Sequence, residues 1–324
     1  MTIRIGQAGL GNWGKNLTRN FAELADLTWL CDADPSKRDV ATRYPQARWT
    51  DTFDEMLADT ELEAVVIATP VPSHYALARQ ALLAGKHVFV EKPPAMKASE
   101  MEELVELAQE QGLVLMPGHL LLYHPGVLML KQLVDSGELG EIRYIYGNRQ
   151  NLGVIRTNEN ALWSLGVHDL SVILHLVEED PESVWAHGSS FLTPGVEDVV
   201  FCYLRFPSGT VAHMHLSWLD PHKMRRMTVV GSRKMAVFDD MELERKVTIY
   251  DKGEEPPGET YGEWRTRTGD IFSPKVAKDE PLRLECAHFV DLVRERSDGR
   301  EARQGLVVVR ALEQLQASLD TVPV

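Results

Sequence analysis

The sequence predicts an α/β fold of two parts, in which a βαβ half precedes a strand-rich half. Three observations carry this expectation. Short apolar runs alternate with helical periodicity over the first third, a glycine-rich loop follows the first of those runs, and later segments alternate in hydrophobicity between hairpin turns. A length of 324 residues suits two domains of ordinary size. With 44% hydrophobic, 25% charged and 7% aromatic residues, disordered and fibrous readings are excluded.

The first elements follow in order. Residues 3–10 read as a buried strand, followed by Gly9-Leu10-Gly11-Asn12-Trp13-Gly14 and a helical pattern over 15–24. Glycines at this spacing, between a strand and a helix, allow a tight turn and close approach of backbone to a pyrophosphate, whose charge meets the helix N-terminus. A second strand over 27–31 ends at Asp32, eighteen residues beyond Gly14, where a carboxylate can accept hydrogen bonds from a ribose 2′-OH. Asp32 also repels a 2′-phosphate, which favours NAD over NADP, although Lys37 and Arg38 stand close enough to host that phosphate.

Residues 64–68 form an apolar run suited to a parallel strand buried on both faces, meeting Thr69-Pro70 at its end. A helix over 73–84 leads through Gly85 to a strand over 87–90, with Lys92 just beyond it in Glu91-Lys92-Pro93-Pro94. Ligands of open α/β sheets sit at the carboxyl ends of strands, so Lys92 stands where chemistry is expected. A helix over 99–111 and a strand over 113–116 complete this half. In the other half, residues 141–150 alternate, 201–206 and 210–218 are strands joined across Pro207-Ser208-Gly209, and 227–238 forms a hairpin through Gly231-Ser232. The stretch 251–262, rich in Gly, Pro and Glu, reads as loop. Residues 282–319 return to helix, interrupted near Ser297-Asp298-Gly299, and residues 128–133 form a helix core face.

Charge and cysteine content bound the partners. Thirty-four Lys and Arg against 48 Asp and Glu leave a net charge of −14, which repels nucleic acid and anionic membrane surfaces. An anionic ligand must therefore be gripped by local donors. Cys31, Cys202 and Cys286 lie far apart, supporting neither a disulfide framework nor a zinc-thiolate site. The sequence opens without a basic n-region and apolar h-region, and no apolar stretch approaches the length of a membrane span. The expected setting is a reducing cytoplasm.

The segment from Ala68-Thr69-Pro70 to His74, followed by Ala84-Gly85-Lys86-His87-Val88-Phe89-Val90-Glu91-Lys92-Pro93, resembles the Gfo/Idh/MocA oxidoreductases. Further matches are residues 118–125, Ser136-Gly137-Glu138-Leu139-Gly140, Gly166-Val167-His168-Asp169, and Glu280-Pro281-Leu282 through Glu285. The resemblance spans essentially the whole chain. It implies an N-terminal Rossmann domain, a doubly wound parallel sheet, over 1–118. An α/β domain with a large, open, mostly antiparallel sheet is implied over 119–324, with the terminal helices packing back on the first domain. That sheet implies a homodimer or homotetramer.

Oxidising a secondary alcohol needs a nicotinamide to take the hydride, a group to take the hydroxyl proton, and a donor for developing alkoxide charge. The resemblance assigns Lys92 and His168 to the catalytic centre. The imidazole suits the proton acceptor and the ammonium suits the reacting oxygen, yet a desolvated lysine can serve as base, so the two roles remain exchangeable. Asp169 either orients an imidazole or caps the following helix. By resemblance Glu91, His74 and His119 join the cofactor cleft, while Trp13 packs against either the dinucleotide or the domain.

Two departures stand out. Ser164 occupies the place, four residues before His168, where many relatives carry an acid, and Leu120-Leu121-Leu122-Tyr123 replaces a basic segment. Polyol recognition through those positions is thereby weakened. The stretch 148–163 instead offers Arg149, Arg156, Asn160 and Trp163, suited to a hydroxylated ring and a diphosphate. It resembles the nucleotide-sugar branch of the family, the UDP-N-acetylglucosamine 3-dehydrogenases, and implies oxidation of a 3-hydroxyl to a 3-keto sugar. A dehydrogenase of a free sugar, inositol or polyol is the enzyme alternative. A dinucleotide-sensing regulator is the other, and Lys92 together with His168 speaks against it. No metal site is expected, since neither His213 with His215 nor His168 with His175 has a third ligand at recognisable spacing.

Overall fold

In the computed structural model, which describes residues 2–255, 263–295 and 299–320, the chain divides into two compact units. The first comprises Met1–Tyr123 and Glu280–Arg310, the second His124–Asp279 and Ala311–Val324. The first unit thus ends slightly beyond 118 and takes in residues 280–310 as well.

Six strands build the sheet of the first unit: β1 (Arg4–Ala8), β2 (Asp26–Cys31), β3 (Arg48–Thr50), β4 (Ala64–Ile67), β5 (His87–Glu91) and β6 (Leu115–Gly118). They run in the order β3-β2-β1-β4-β5-β6, all parallel. The order reverses between β1 and β4, the switch point at which doubly wound sheets bind ligands. All four residues of β4 are buried, as a strand covered on both faces requires. Between these strands lie α1 (Gly14–Leu24), α2 (Arg38–Ala41), α3 (Phe53–Leu57), α4 (His74–Leu83) and α5 (Ala98–Gln111).

The second unit starts with α6 (Pro125–Asp135), β7 (Ile142–Gln150) and α7 (Val167–Val177). Its remaining strands are β8 (Ser183–Ser189), β9 (Val199–Arg205), β10 (Val211–Ser217), β11 (Met224–Gly231), β12 (Met235–Asp239), β13 (Val247–Glu255) and β14 (Arg265–Phe272). The eight strands take the order β14-β13-β12-β11-β7-β10-β9-β8, and every neighbouring pair except β7 with β10 is antiparallel. Strand alternation sorts the faces. Ile145, Ala212, Met214, Val200 and Cys202 are buried on the face that carries α6 and α7, while Tyr144, Phe201, Tyr203 and Trp185 stand exposed on the other. Residues 251–255, expected as loop, instead extend β13 beyond its pairing with β12, because residues 252–255 pair with β14, which supplies the hydrogen bonds their composition does not advertise. The rest of that stretch, 256–262, lies outside the described residues.

Helices α8 (Pro281–Glu295) and α9 (Arg300–Asp320) follow; the interruption expected near 297–299 falls largely on residues 296–298, outside the described ones. The first packs on α1 through Phe289, whose ring meets Phe21 and Phe89 edge to face at 6.0 and 5.7 Å. Truncating such a fully buried phenylalanine costs about 3–5 kcal/mol. Ala302, Leu306 and Val309 of α9 join the cluster on the opposite side of the parallel sheet. These contacts are why residues 280–310 belong to the first unit.

Candidate functional site

The glycine loop between β1 and α1 forms one wall of a cavity of about 590 Å³, within the usual range for small-ligand sites. Gly9 has a positive φ of 91°, and a Cβ there would strike the carbonyl of Ala68; a Cβ on Gly14 would strike the carbonyl of Gly9. By contrast a Cβ on Gly11 would meet nothing within 4 Å, so that glycine opens on free space. The fully buried Gln7 fixes the loop by donating its amide to the carbonyls of Gly9 and Gly14 at 3.0 and 2.8 Å. Asp32 borders the same cavity, its Oδ2 accepting from the Leu10 amide at 2.7 Å and its Oδ1 from the Asp34 amide at 2.9 Å. Each oxygen keeps a lone pair for a further donor.

Of the residues expected at the cofactor, Gly9, Gly11, Asn12, Trp13, Gly14, Asp32, Thr69 and Pro70 line this cavity. Glu91, Lys92, His74 and His119 are not among its lining, and they make a second cluster at the carboxyl ends of β5 and β6. The indole of Trp13 donates to Glu91 Oε1 and so joins the two groups. Glu91 Oε2 accepts from the amide of Lys92 at 3.2 Å. Burial pushes the Glu91 carboxyl up to about 7, against the lowering pull of the indole and of the Lys92 charge.

His74 lies buried with Nδ1 2.8 Å from the carbonyl of Pro93 and Nε2 2.7 Å from that of Thr69. Its ring therefore ties the loop after β4 to the loop after β5, which carries Lys92, rather than facing a ligand. Burial lowers its pKa, while the two carbonyls pull in the raising direction. His119 is also buried, with an Nε2 that has no hydrogen-bond partner among the described residues; burial first, and then the Lys92 charge, bring it down to about 4, so it is neutral at physiological pH.

In the second unit a single π-helical turn, Leu162–Gly166, leads directly into α7 and carries Ser164, with His168 two residues beyond it. Such turns occur frequently at functional sites. The turn fits because Gly166 has no side chain: a Cβ there would lie 2.7 Å from Leu216 of β10. His168 and Ser164 are both partly accessible, whereas Asp169 is buried.

Three expectations for the stretch 148–163 give way here. Arg149 is not free for a diphosphate, since Nε and Nη2 both donate to Asp169 Oδ1, at 3.0 and 2.6 Å, in a buried ion pair. Asp169 accordingly holds this strand to α7, a third role beside the two considered for it. Asn160 donates to Glu197 at 2.7 Å and to Gln316 at 2.9 Å, and the Trp163 indole also donates to Gln316, at 3.1 Å. Both side chains are buried structural contacts. Arg156 remains half exposed and pairs with Glu159 at 2.8 Å. Glu285, which the sequence reading quoted only as the end of a matching segment and gave no role, is a fully buried carboxyl on α8. Its signal was present: it falls on the apolar stripe Leu282, Glu285, Cys286, Phe289.

Comparison with known proteins adds three findings. Residues 3–119 match an oxidoreductase family with an NAD-binding Rossmann fold, and residues 127–237 match the GFO/IDH/MocA C-terminal domain. A UDP-N-acetylglucosamine 3-dehydrogenase from Acidithiobacillus ferrooxidans is 29% identical over 78% of this chain and 78% of its own; a solved structure of that enzyme superposes with a TM-score of 0.83 over 99% and 98% of the two chains at 26% identity. A scyllo-inositol 2-dehydrogenase (NAD+) from Bacillus subtilis is 24% identical over 90% of this chain and 86% of its own.

Proposed function

The chain belongs to the Gfo/Idh/MocA family of NAD-type oxidoreductases acting on hydroxyl groups, and from that premise we propose that it oxidises the 3-hydroxyl of a UDP-N-acetylhexosamine, UDP-N-acetylglucosamine foremost. The observation that carries this reading is the likeness to UDP-N-acetylglucosamine 3-dehydrogenase over most of both chains. Inositol dehydrogenases among the relatives support a polyol as the second reading. Ser164 and the run Leu120-Leu121-Leu122 weigh against it, because both replace charged groups expected to grip a polyol.

NAD is the proposed cofactor in preference to NADP. The Asp32 carboxylate borders the cavity with room for a ribose hydroxyl, and Lys37, which also borders it, is offset by Asp34 at 3.5 Å. When bound, a nicotinamide supplies the acceptor for the hydrogen leaving the carbinol carbon. Lys92, at the carboxyl end of β5, holds the reacting oxygen, and His168, at the start of α7, takes its proton. His74 keeps Lys92 in place by bridging the loop after β4 to the loop after β5. Arg156 is the remaining guanidinium of the 148–163 stretch proposed for the diphosphate.

The exposed face of the second sheet supports a homo-oligomer. Tyr144, Tyr146 and His213 stack in series, as do Phe201 with His215, and Trp185 lies 51% exposed beside His187. A contiguous apolar face of this kind marks an interaction surface, and light scattering should return at least twice the mass of one chain. The buried free thiols of Cys31, Cys202 and Cys286 agree with a reducing cytoplasm. The substrate reading is tested by following nicotinamide absorbance with NAD and either UDP-N-acetylglucosamine, free N-acetylglucosamine or inositol. Turnover of inositol alone would replace the nucleotide sugar with the polyol.

A further inference from the structure

Glu285 and Glu91 face one another across a packing register that the aromatic rings define. The ring of Phe89 on β5 lies 5.7 Å from that of Phe289 on α8. Two residues further along β5, on the same face of the sheet, comes Glu91; one turn back along α8, on the same face of the helix, comes Glu285. Glu285 accordingly feels the charge of Glu91, and Cys286, the next residue of the helix, feels both.

The two carboxyls are solvated differently by the protein. Glu91 accepts hydrogen bonds on both oxygens, from Trp13 and from the Lys92 amide. Glu285 has 0% exposure, and neither of its oxygens has a partner among the described residues. Donors therefore stabilise the anion on Glu91 and nothing equivalent stabilises it on Glu285. A second buried anion beside the first is the costliest state of such a pair.

The surrounding groups do not supply the missing cation. Lys92 already neighbours Glu91. On the turn after β6, Tyr123 has its hydroxyl pushed well up by burial and by Glu285 and Glu301, so it stays neutral. Arg19 of α1 is engaged with Glu280, and His288 of α8 with Glu301 of α9 at 3.1 Å. His119, after β6, is neutral.

We propose that Glu285 carries a proton as the acid half of a Glu91–Glu285 pair, and that the pair releases it to solvent when an oxidised nicotinamide dinucleotide binds, but not when a reduced one does. The proposal rests on the dinucleotide reading of the β1–α1 cleft. A doubly wound sheet of this order receives the second half of a dinucleotide at the carboxyl ends of β4 to β6, where Glu91 stands. The oxidised ring is a cation and the reduced ring is neutral, so only the former favours a second anion beneath it. The step breaks one O–H bond of Glu285 and passes one proton to water, with no electrons transferred. Burial, together with the charge of Glu91, raises the Glu285 carboxyl well above its ordinary value, consistent with a protonated acid near neutral pH.

The test uses the full chain in weakly buffered solution with a pH indicator near neutrality, mixed with saturating NAD+ or NADH. The expected result is release of a fraction of one proton per chain with NAD+ and none with NADH. Glu285→Gln should abolish the release while keeping NADH affinity within about threefold, and Lys92→Met should retain it. Release that survives in Glu285→Gln and disappears in Lys92→Met would assign the proton to the lysine and overturn the proposal. A second measurement needs no variant: proton release on binding makes the affinity for NAD+ relative to NADH rise with pH, by up to about tenfold per unit. A ratio that does not change between about pH 6 and about pH 8 would equally overturn it. Failure of both cofactors to bind would instead refute the dinucleotide reading beneath it.

Discussion

The Arg149–Asp169 pair allows a worked prediction. The two side chains are only 10% and 5% exposed, both guanidinium contacts fall on Asp169 Oδ1, and Oδ2 has no hydrogen-bond partner among the described residues. Gly147 makes room for this, since a Cβ on it would come within 3.1 Å of that second oxygen. Arg149→Met leaves the buried carboxylate without its cation, which costs about 3–5 kcal/mol. For a unit of this size that lowers the melting midpoint by roughly 6–20 °C. Differential scanning calorimetry should show the loss in the transition of the second unit while the first unit's is preserved. The double variant Arg149→Met/Asp169→Leu should recover most of it, because an apolar pair of similar volume frequently matches a buried ion pair in stability. A loss below about 1 kcal/mol in the single variant, or a double variant no more stable than Arg149→Met, would refute the claim that desolvated charge governs this contact.

Further outcomes are expected from the residues proposed for the cofactor and for catalysis. Lys92→Ala and His168→Ala should each lower kcat by at least about a hundredfold with NAD affinity within a few-fold of wild type, as titration and steady-state kinetics would show; unchanged turnover in either removes that residue from the chemistry. Asp32→Ala should raise the preference for NADP over NAD by at least about tenfold in kcat/KM, and an unaltered preference would detach Asp32 from the ribose. Arg156→Ala should raise the KM for the nucleotide sugar with little effect on NAD affinity, and an unchanged KM would leave the diphosphate without this ligand. Stability should also depend on pH through the two buried carboxyls. Their folded-state pKa values are raised, so the stabilisation is fully present below the ordinary carboxylate range and is lost as pH climbs through the raised values, about 7 for Glu91. Glu285→Gln should therefore gain stability relative to wild type between about pH 5 and about pH 8 in urea titrations; a parallel pH profile would refute the assignment.

Much of the fold was legible because its signals are local. The loop from Gly9 to Gly14, the buried run that becomes β4, and the hairpin of β11 and β12 each announce themselves within a dozen residues. The misreading at 251–255 shows the limit. Gly253 and the glutamates around it read as loop, yet the strand continues past the end of β12 because β14 pairs with residues 252–255. Helix α8 is similar: its amphipathic pattern was plain, but that Phe289 would complete a trio with Phe21 and Phe89 depends on a face presented two hundred residues or more earlier.

The site divides along the same line, and charge explains why. Where backbone shapes the site, as at Gly11 and Thr69, the sequence pattern dictates the geometry and the expected residues line the cavity. Where side-chain charge would shape it, what matters is which partner each charge has already found. Arg149 looked available because the stretch around it is polar; Asp169, twenty residues on, engages it through β7 meeting α7. Asn160 and Trp163 are drawn away by Gln316. Glu285 is the converse case, a carboxyl at an apolar position with no hydrogen-bond partner among the described residues, which a core tolerates only if the group is neutral or serves another. An unsatisfied carboxyl beside the Glu-Lys-Pro segment is thus a stronger candidate for function than Arg149, Asn160 or Trp163, which are buried and already paired.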